Sequence, residues 1–242
     1  PVKASRRITH FARHKSEASD PTDYMMSALT ALGRRLVIGH RGNPVAFAEN
    51  TIESFQSAMD LGVDAIQLDV RVARDGAAMI IHDADLDRTT SATGPVRALT
   101  SRELESVDAS ANAPTRGKGQ LRIPTLEQVL DRFREIPIVM EVKELAAAEI
   151  TERLVRQFNA QGRVLIGSAE NAVCERFYRS GLATCASMKD ATLLLPFAAV
   201  GLAPPARLAF DVLSIPPVYR GIPIPILRMT ASVRRHGIPA QV

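Results

Sequence analysis

The chain has 242 residues, of which 46% are hydrophobic and 23% charged, and its formal net charge is +4. This length and composition predict one folded domain and exclude a chain that is disordered throughout. The positive charge would suit an anionic partner. However, the chain has no Trp and only 5% aromatic residues, and none of these alternate with basic residues as in a base-stacking surface, so we expect no nucleic-acid binding.

Cysteines and long apolar segments carry little further information. Cys174 and Cys185 are too few for a disulfide framework or a zinc site, and we interpret both as buried apolar side chains. No run approaches the ~18 apolar residues needed to span a bilayer. Residues 1–32 are polar and interrupted by charge, which indicates an N-terminal extension rather than a signal peptide and favours a cytoplasmic location.

The predicted elements of the main domain, residues 33–242, begin with an apolar strand at residues 36–39 and a helix at residues 51–61. A second strand at residues 65–70 is followed by a hairpin signal around Asp75 and Gly76, which leads into another apolar run that ends at His82. The chain therefore opens with a strand, a helix and a hairpin.

The rest of the chain alternates between short apolar runs and helical patterns. The later predicted strands cover residues 136–142, 164–167, 184–187 and 212–215, and the helices cover residues 126–133, 146–159 and 172–180. Such alternation predicts an α/β protein with a parallel sheet. Periodicity alone does not distinguish an open sheet from a closed barrel.

Polar residues mark the ends of several predicted strands. His40, Asp69 and Glu141 each lie at or near the carboxyl end of a separate strand, and Arg41 and Lys143 follow closely. Active sites of α/β barrels are assembled at this end of the strands. The pattern therefore favours a barrel with a catalytic site.

Two of the five histidines, His40 and His82, end strands beside charged residues. Phosphodiester hydrolysis needs a proton acceptor, a proton donor and positive charge near the phosphoryl oxygens. A histidine pair can supply one neutral and one protonated ring near neutral pH. For His40 alone the simpler interpretation is an ordinary strand end, with Asn50 or Thr51 capping the next helix.

The simpler interpretation weakens when the motifs are taken together, because their order and spacing resemble those of glycerophosphodiester phosphodiesterases. The resemblance spans residues 36–242. Its motifs are His40-Arg41-Gly42, Glu49-Asn50-Thr51-Ile52-Glu53-Ser54-Phe55, Gly62-Val63-Asp64-Ala65-Ile66-Gln67-Leu68-Asp69-Val70, Asp75-Gly76, His82-Asp83, Leu86-Asp87-Arg88-Thr89-Thr90, Gly94, Ile123-Pro124-Thr125-Leu126 and Glu141-Val142-Lys143.

The resemblance implies a TIM-type (β/α)8 barrel that hydrolyses glycerophosphodiesters to glycerol 3-phosphate and an alcohol, with a divalent cation, usually Ca²⁺ or Mg²⁺. It also implies roles for individual residues. The matching positions are His40 and His82 for acid–base catalysis, Arg41 and Lys143 for contacts with the substrate phosphate, and Gln67, Asp69 and Glu141 for the metal.

The chain departs from the family pattern at Gln67. The family usually has Glu here, two residues before Asp69 and on the same face of the strand. Because the amide lacks a negative charge, we expect a weakened or water-bridged metal ligand. One alternative is therefore a catalytically impaired protein that binds phosphodiesters. Another, which does not depend on Gln67, is a lysophospholipase D-like enzyme on the same barrel with a wider, more apolar mouth.

A second departure concerns the end of the chain. By comparison with the family, the sequence holds six complete barrel strands and most of a seventh, so we expect a barrel that lacks its last strand. Such a barrel would expose two strand edges. The sequence is then a fragment, a defective protein or a barrel completed by another chain.

Overall fold

The structure, a computed structural model, describes residues 29, 35–113, 119–204 and 208–241. The predicted extension over residues 1–32 lies outside these ranges except for Leu29. The described strands are β1 (Ile38–His40), β2 (Ala65–Val72), β3 (Ala78–Ile80), β4 (Ile138–Val142), β5 (Val164–Gly167), β6 (Ala183–Thr184), β7 (Leu213–Ser214), β8 (Val218–Tyr219), β9 (Ile222–Pro223) and β10 (Ala240–Gln241).

Helices lie between most of the parallel strands. They are α1 (Ile52–Asp60), α2 (Ser101–Glu105), α3 (Leu126–Arg132), α4 (Ala148–Gln157), α5 (Asn171–Phe177), α6 (Met188–Val200) and α7 (Ile226–Arg234). Short 3-10 turns occur at Val96–Ala98, Leu145–Ala147 and Gln161–Arg163. In the described ranges, no helix is long and apolar enough to cross a membrane.

The parallel strands follow one another in chain order. The sheet runs β1-β2-β4-β5-β6, a parallel bridge from Cys185 to Val212 continues it to β7, and β7 pairs in parallel with β10. The prediction of an α/β TIM-type barrel is confirmed. Within the part of the chain that the structure describes, β1 and β10 are not paired with each other.

The two faces of the sheet pack against different groups. One face, which includes Ile66 and Leu68, packs on the surrounding helices. The other face lies inside the barrel, where Ala65 and Leu165 pack with Leu29. Because side chains alternate along a strand, Gln67 and Asp69 share the inner face with Ala65. The second strand therefore directs its polar residues into the barrel.

The predicted hairpin is confirmed, because β3 returns antiparallel along β2 after a turn at Gly76, whose φ is +83°. The predicted strand at residues 184–187 is wrong in extent. It ends at Thr184, because Ser187 caps α6 and its side chain accepts a hydrogen bond from the backbone N–H of Asp190. Cys174 and Cys185 are buried and are not joined by a disulfide, as predicted.

Candidate active site

The two histidines approach each other along one edge of β2. His40 pairs with Gln67, while β4 occupies the other edge of β2. β3 runs in the opposite direction along the same edge as β1, and the Ile81 N–H donates to the Asp69 carbonyl at 3.0 Å. The end of β1 and the residue after Ile81, His82, therefore meet at the level of residues 67–69 of β2.

The turn after His40 is held in an unusual conformation. Arg41 has a φ of +56° and Asn50 a φ of +60°, a region that few residues other than Gly adopt. The Arg41 N–H donates to Gln67 Oε1, and its carbonyl accepts from Ser54 Oγ, both at 3.0 Å. Next to it, a Cβ on Gly42 would come within 2.5 Å of the Ser54 backbone, so only glycine allows α1 to pack this closely.

Asp69 is the most buried carboxylate of the site and has four polar contacts. Oδ1 lies 3.0 Å from Lys143 Nζ and accepts from Gln67 Nε2 at 3.1 Å. Oδ2 accepts from Asn50 Nδ2 at 2.8 Å and lies 3.2 Å from Arg41 Nε. Burial alone would raise the pKa of Asp69, but Lys143, Asn50 and Arg41 outweigh it and hold this pKa below its usual value.

Lys143 lies between two carboxylates. Glu141 of β4 is opposite Asp69 of β2, and Lys143 Nζ is 2.7 Å from Glu141 Oε1. Asp69 and Glu141, the two carboxylates predicted to bind metal, therefore both contact the ammonium group of Lys143. Gln67 does not join them, because its Oε1 accepts from Arg41 instead. Among the residues that the structure describes, no three His, Cys, Asp or Glu side chains form a metal-binding group.

A chain of ion pairs connects the two histidine segments. His82 Nδ1 is 2.7 Å from Asp83 Oδ1, and Asp83 is paired with Arg88. Arg88 Nη1 donates to Glu49 at 3.1 Å, and Glu49 accepts in turn from Arg41 at 3.0 Å. These ion pairs link the segment after β3 to the turn after β1. They therefore hold His82 in position relative to His40.

Sequence reasoning assigned no catalytic or binding role to Glu49, Asn50, Asp83 and Arg88, although all four occur in the quoted motifs. The spacing of Asp83 and Arg88 gives no regular pattern, because Arg88 lies in an irregular turn. The available signal was the adjacency of Asp83 to His82 and of Glu49 to Asn50. Each of these pairs places a carboxylate beside another site residue.

The charges around the site also shift other pKa values. Burial lowers the pKa of His40 below 6.5, and the positive charge of Arg41 lowers it further, against smaller opposing effects of Asp69, Glu49 and Glu141. Burial would raise the pKa of Asp83, but Arg88 and His82 lower it overall. The neutral form of His40 and the ionised form of Asp83 are therefore favoured near neutral pH.

The chain is also similar in sequence to proteins of known family. The model of the glycerophosphoryl diester phosphodiesterase family matches residues 40–238. A glycerophosphodiester phosphodiesterase of Caldanaerobacter subterraneus is 37% identical over 142 residues, which cover 56% of this chain and 58% of that relative. The chain likewise covers 60% and 36% of two Bacillus subtilis relatives.

Solved structures of similar fold include two phosphodiesterases. The glycerophosphodiester phosphodiesterase of Agrobacterium tumefaciens gives a TM-score of 0.67 at 25% identity, covering 86% of this chain and 85% of its own. A phosphodiesterase of Oleispira antarctica, in complex with the product sn-glycerol-3-phosphate, gives a TM-score of 0.66 at 18% identity, with coverages of 89% and 85%.

Proposed function

Because the chain belongs to the glycerophosphoryl diester phosphodiesterase family, we propose that it hydrolyses glycerophosphodiesters to glycerol 3-phosphate and an alcohol. The observation that carries the proposal is the meeting of the His40 and His82 segments on one edge of β2, beside Arg41 and Lys143. The test is release of choline from glycerophosphocholine by the purified protein.

The surroundings of the two histidines support different roles. His40 has a lowered pKa and is therefore neutral near pH 7, as a general base must be. His82 Nδ1 is 2.7 Å from the Asp83 carboxylate, a contact that would hold the ring in one orientation. His40 would take a proton from the attacking water, and His82 would give one to the leaving alcohol oxygen as its bond to phosphorus breaks.

Positively charged side chains supply the third requirement of the reaction, which is positive charge near the phosphoryl oxygens. The charge on a phosphoryl group increases at the oxygens in the transition state and is stabilised by fixed cations. Arg41 is fixed through Glu49 and Asp69, and Lys143 through Asp69 and Glu141. Both cations are therefore held in place before substrate binds, which limits the cost of ordering them on binding.

The oxygen-bearing side chains at this site are only partly suited to binding a divalent cation. Asp69 and Glu141 already converge on one positive charge, and carboxylate oxygens are the donors that Ca²⁺ and Mg²⁺ prefer. A divalent cation held by these two residues would stabilise charge on the phosphoryl oxygens, and Lys143 would then be available to the substrate. Gln67 could join through Oε1 only by giving up its bond to the Arg41 N–H.

The replacement Gln67→Glu should make the protein depend more strongly on divalent cations. The Gln67 Nε2 bond to Asp69 Oδ1 would be replaced by two adjacent carboxylates. Without metal, we expect a loss of about 1–3 kcal/mol in the free energy of unfolding. With Ca²⁺ or Mg²⁺, the added charge should raise metal affinity and remove that loss. Calorimetry and denaturant unfolding measure the two effects.

Gln67→Leu is the control, because it removes the hydrogen bond without adding charge. It should lower stability with and without metal. Equal metal affinity in the wild type and Gln67→Glu would show that position 67 does not contact the cation. If Gln67→Glu alone hydrolyses glycerophosphocholine, the wild type is instead the catalytically impaired binding protein.

The pH profile should identify His40 as the base. Since its pKa is lowered, the acid limb of kcat/KM should lie below pH 6.5. Arg41→Gln removes a positive charge that disfavours the imidazolium, so the limb should move to higher pH, whereas Arg41→Lys keeps the charge and should leave the limb in place. An unchanged limb in Arg41→Gln would mean that a group other than His40 controls it.

A further inference from the structure

The hairpin formed by β8 and β9 is exposed to solvent along its whole length. Every residue from 216 to 223 is exposed, and among the described strands β8 and β9 pair only with each other. Arg220 and Gly221 have φ values of +49° and +79°, and positive φ at both central residues suits the twist of a two-stranded hairpin. At its base, Ile224 packs against the apolar cluster that contains Met229 of α7. The hairpin therefore has a fixed base and a tip surrounded by water.

Most of the side chains that this segment presents to water are apolar. Val218 is 52% and Ile222 66% exposed, and Leu227, in the first turn of α7, is 86% exposed. Exposed edge strands are commonly protected by charged side chains, whereas Arg220 is the one charged residue of this hairpin. Apolar side chains grouped beside charged ones indicate a binding surface. We refer to Val218, Tyr219, Ile222 and Leu227 as the apolar tip.

The charge carried by this part of the chain is entirely positive. Residues 212–242 contain four Arg and no Lys, Asp or Glu, so they account for the whole formal net charge of +4. Two of these arginines flank the apolar tip. Arg220 lies in the turn, with its guanidinium 5.5 Å from the centre of the Tyr219 ring, and Arg228 follows Leu227 and donates to the Ala199 carbonyl at 3.2 Å. The other two, Arg234 and Arg235, lie at the far end of α7.

The sign of this charge favours a lipid surface over other occupants. In a dimer built symmetrically on the apolar tip, Arg220 and Arg228 of the two copies would face each other, and like charges at an interface oppose association. A standard protein interface takes roughly 20–30 residues from each side. A bilayer surface requires only a few apolar side chains, which enter the acyl region, and basic side chains beside them, which reach the phosphates.

We propose that the apolar tip docks on the surface of an anionic phospholipid bilayer. Val218, Ile222 and Leu227 enter the outer part of the acyl region, while Arg220 and Arg228 lie at the level of the lipid phosphates. Tyr219, whose ring is apolar and whose hydroxyl is polar, suits the boundary between the two regions. This docking is a property of the surface and does not depend on catalysis.

Docking through the apolar tip would turn the mouth of the barrel towards the lipid. Val212 forms a parallel bridge with Cys185, so β7 runs in the same direction as the other parallel strands. The hairpin begins after the end of β7 and therefore leaves the barrel at the carboxyl ends of the strands. His40 and Glu141 lie at this same end, in β1 and β4. The bilayer would then face the end of the barrel that carries the candidate active site.

Flotation of the 242-residue protein with lipid vesicles tests the proposal. We expect binding to vesicles of phosphatidylcholine mixed with phosphatidylglycerol, decreasing as the salt concentration rises, and much weaker binding to phosphatidylcholine alone. Ile222→Ser and Val218→Ser should each lower the partition coefficient roughly three- to ten-fold, because less apolar surface leaves water. Arg220→Gln should lower it roughly five-fold on the mixed vesicles only.

Leu61→Ser is the matched control. Leu61 is 73% exposed and follows the last residue of α1, at the opposite end of the barrel from the hairpin. This variant should bind the mixed vesicles as the wild type does. Failure of the wild type to bind them, or an equal loss of binding in Ile222→Ser and Leu61→Ser, would overturn the proposal. A wild-type dimer that Ile222→Ser dissociates, or binding to a polyglutamate peptide in place of the vesicles, would also overturn it.

Discussion

Replacing His82 by alanine should lower kcat by about 10²- to 10⁴-fold, the usual contribution of a general acid or base. His82 lies two residues after the end of β3, and its ring contacts Asp83, which is itself paired with Arg88. The variant would lack the proton donor for the leaving alcohol. His40→Ala should have an effect in the same range, because the base would be missing. Steady-state release of choline from glycerophosphocholine measures both.

The matched control is His236→Ala. His236 is an exposed histidine whose Nε2 is 2.8 Å from the Pro204 carbonyl, and it has no contact with the site in the described ranges. We expect wild-type turnover from this variant. A leaving group of low basicity offers a further check, because it needs little protonation and should restore much of the rate in His82→Ala. Wild-type kcat in His82→Ala would remove this residue from the mechanism.

The largest expected effect on stability comes from Asp69→Asn. Asp69 is fully buried, and removing its charge leaves Lys143 and Arg41 near the barrel interior without their shared partner. Loss of one member of a buried ionic group costs about 3–5 kcal/mol, equivalent to a fall in Tm of roughly 6–20 °C for a protein of this size. Thermal and denaturant unfolding in the presence of a chelator measure it without a contribution from metal.

Glu141→Gln provides the comparison for Asp69→Asn. It removes a carboxylate from the same lysine, but the Glu141 side chain is 33% exposed, so solvent can replace much of the lost interaction. Its effect on stability should be about 1 kcal/mol or less. A loss of similar size in the two variants would mean that the contacts of Asp69 are no more important to folding than those of an exposed carboxylate.

Much of the fold could be predicted from local patterns. Buried parallel strands such as β2 and β5 appear in the sequence as short apolar runs, and the turn at Gly76 carries its own signal. Residues 190–225 are expected from their Leu, Pro and Ala content to be helix-loop core, but the limits of helix α6 were not predicted. Its three consecutive leucines, followed by Pro196 inside the helix, give no amphipathic period, and few of its side chains are buried.

The site could be predicted as a set of residues but not as a set of contacts. His40, Asp69 and Glu141 were found because strand ends converge in a parallel barrel. The position of Lys143 between two carboxylates depends on the register of β2 against β4, which no local pattern encodes. The hydrogen bond from Arg88 to Glu49 joins residues that are 39 positions apart in the chain. It depends on how the segment following β3 packs on the barrel.

The measurement that tests the account most directly is choline release from glycerophosphocholine by the purified protein, with a chelator or with added Ca²⁺ or Mg²⁺, in the wild type and His82→Ala. We expect release by the wild type that increases with the divalent cation, and a decrease of at least about 10²-fold in His82→Ala. Equal release from both proteins, or none from the wild type under any of these conditions, would contradict the proposal that this barrel is a phosphodiesterase using paired histidines.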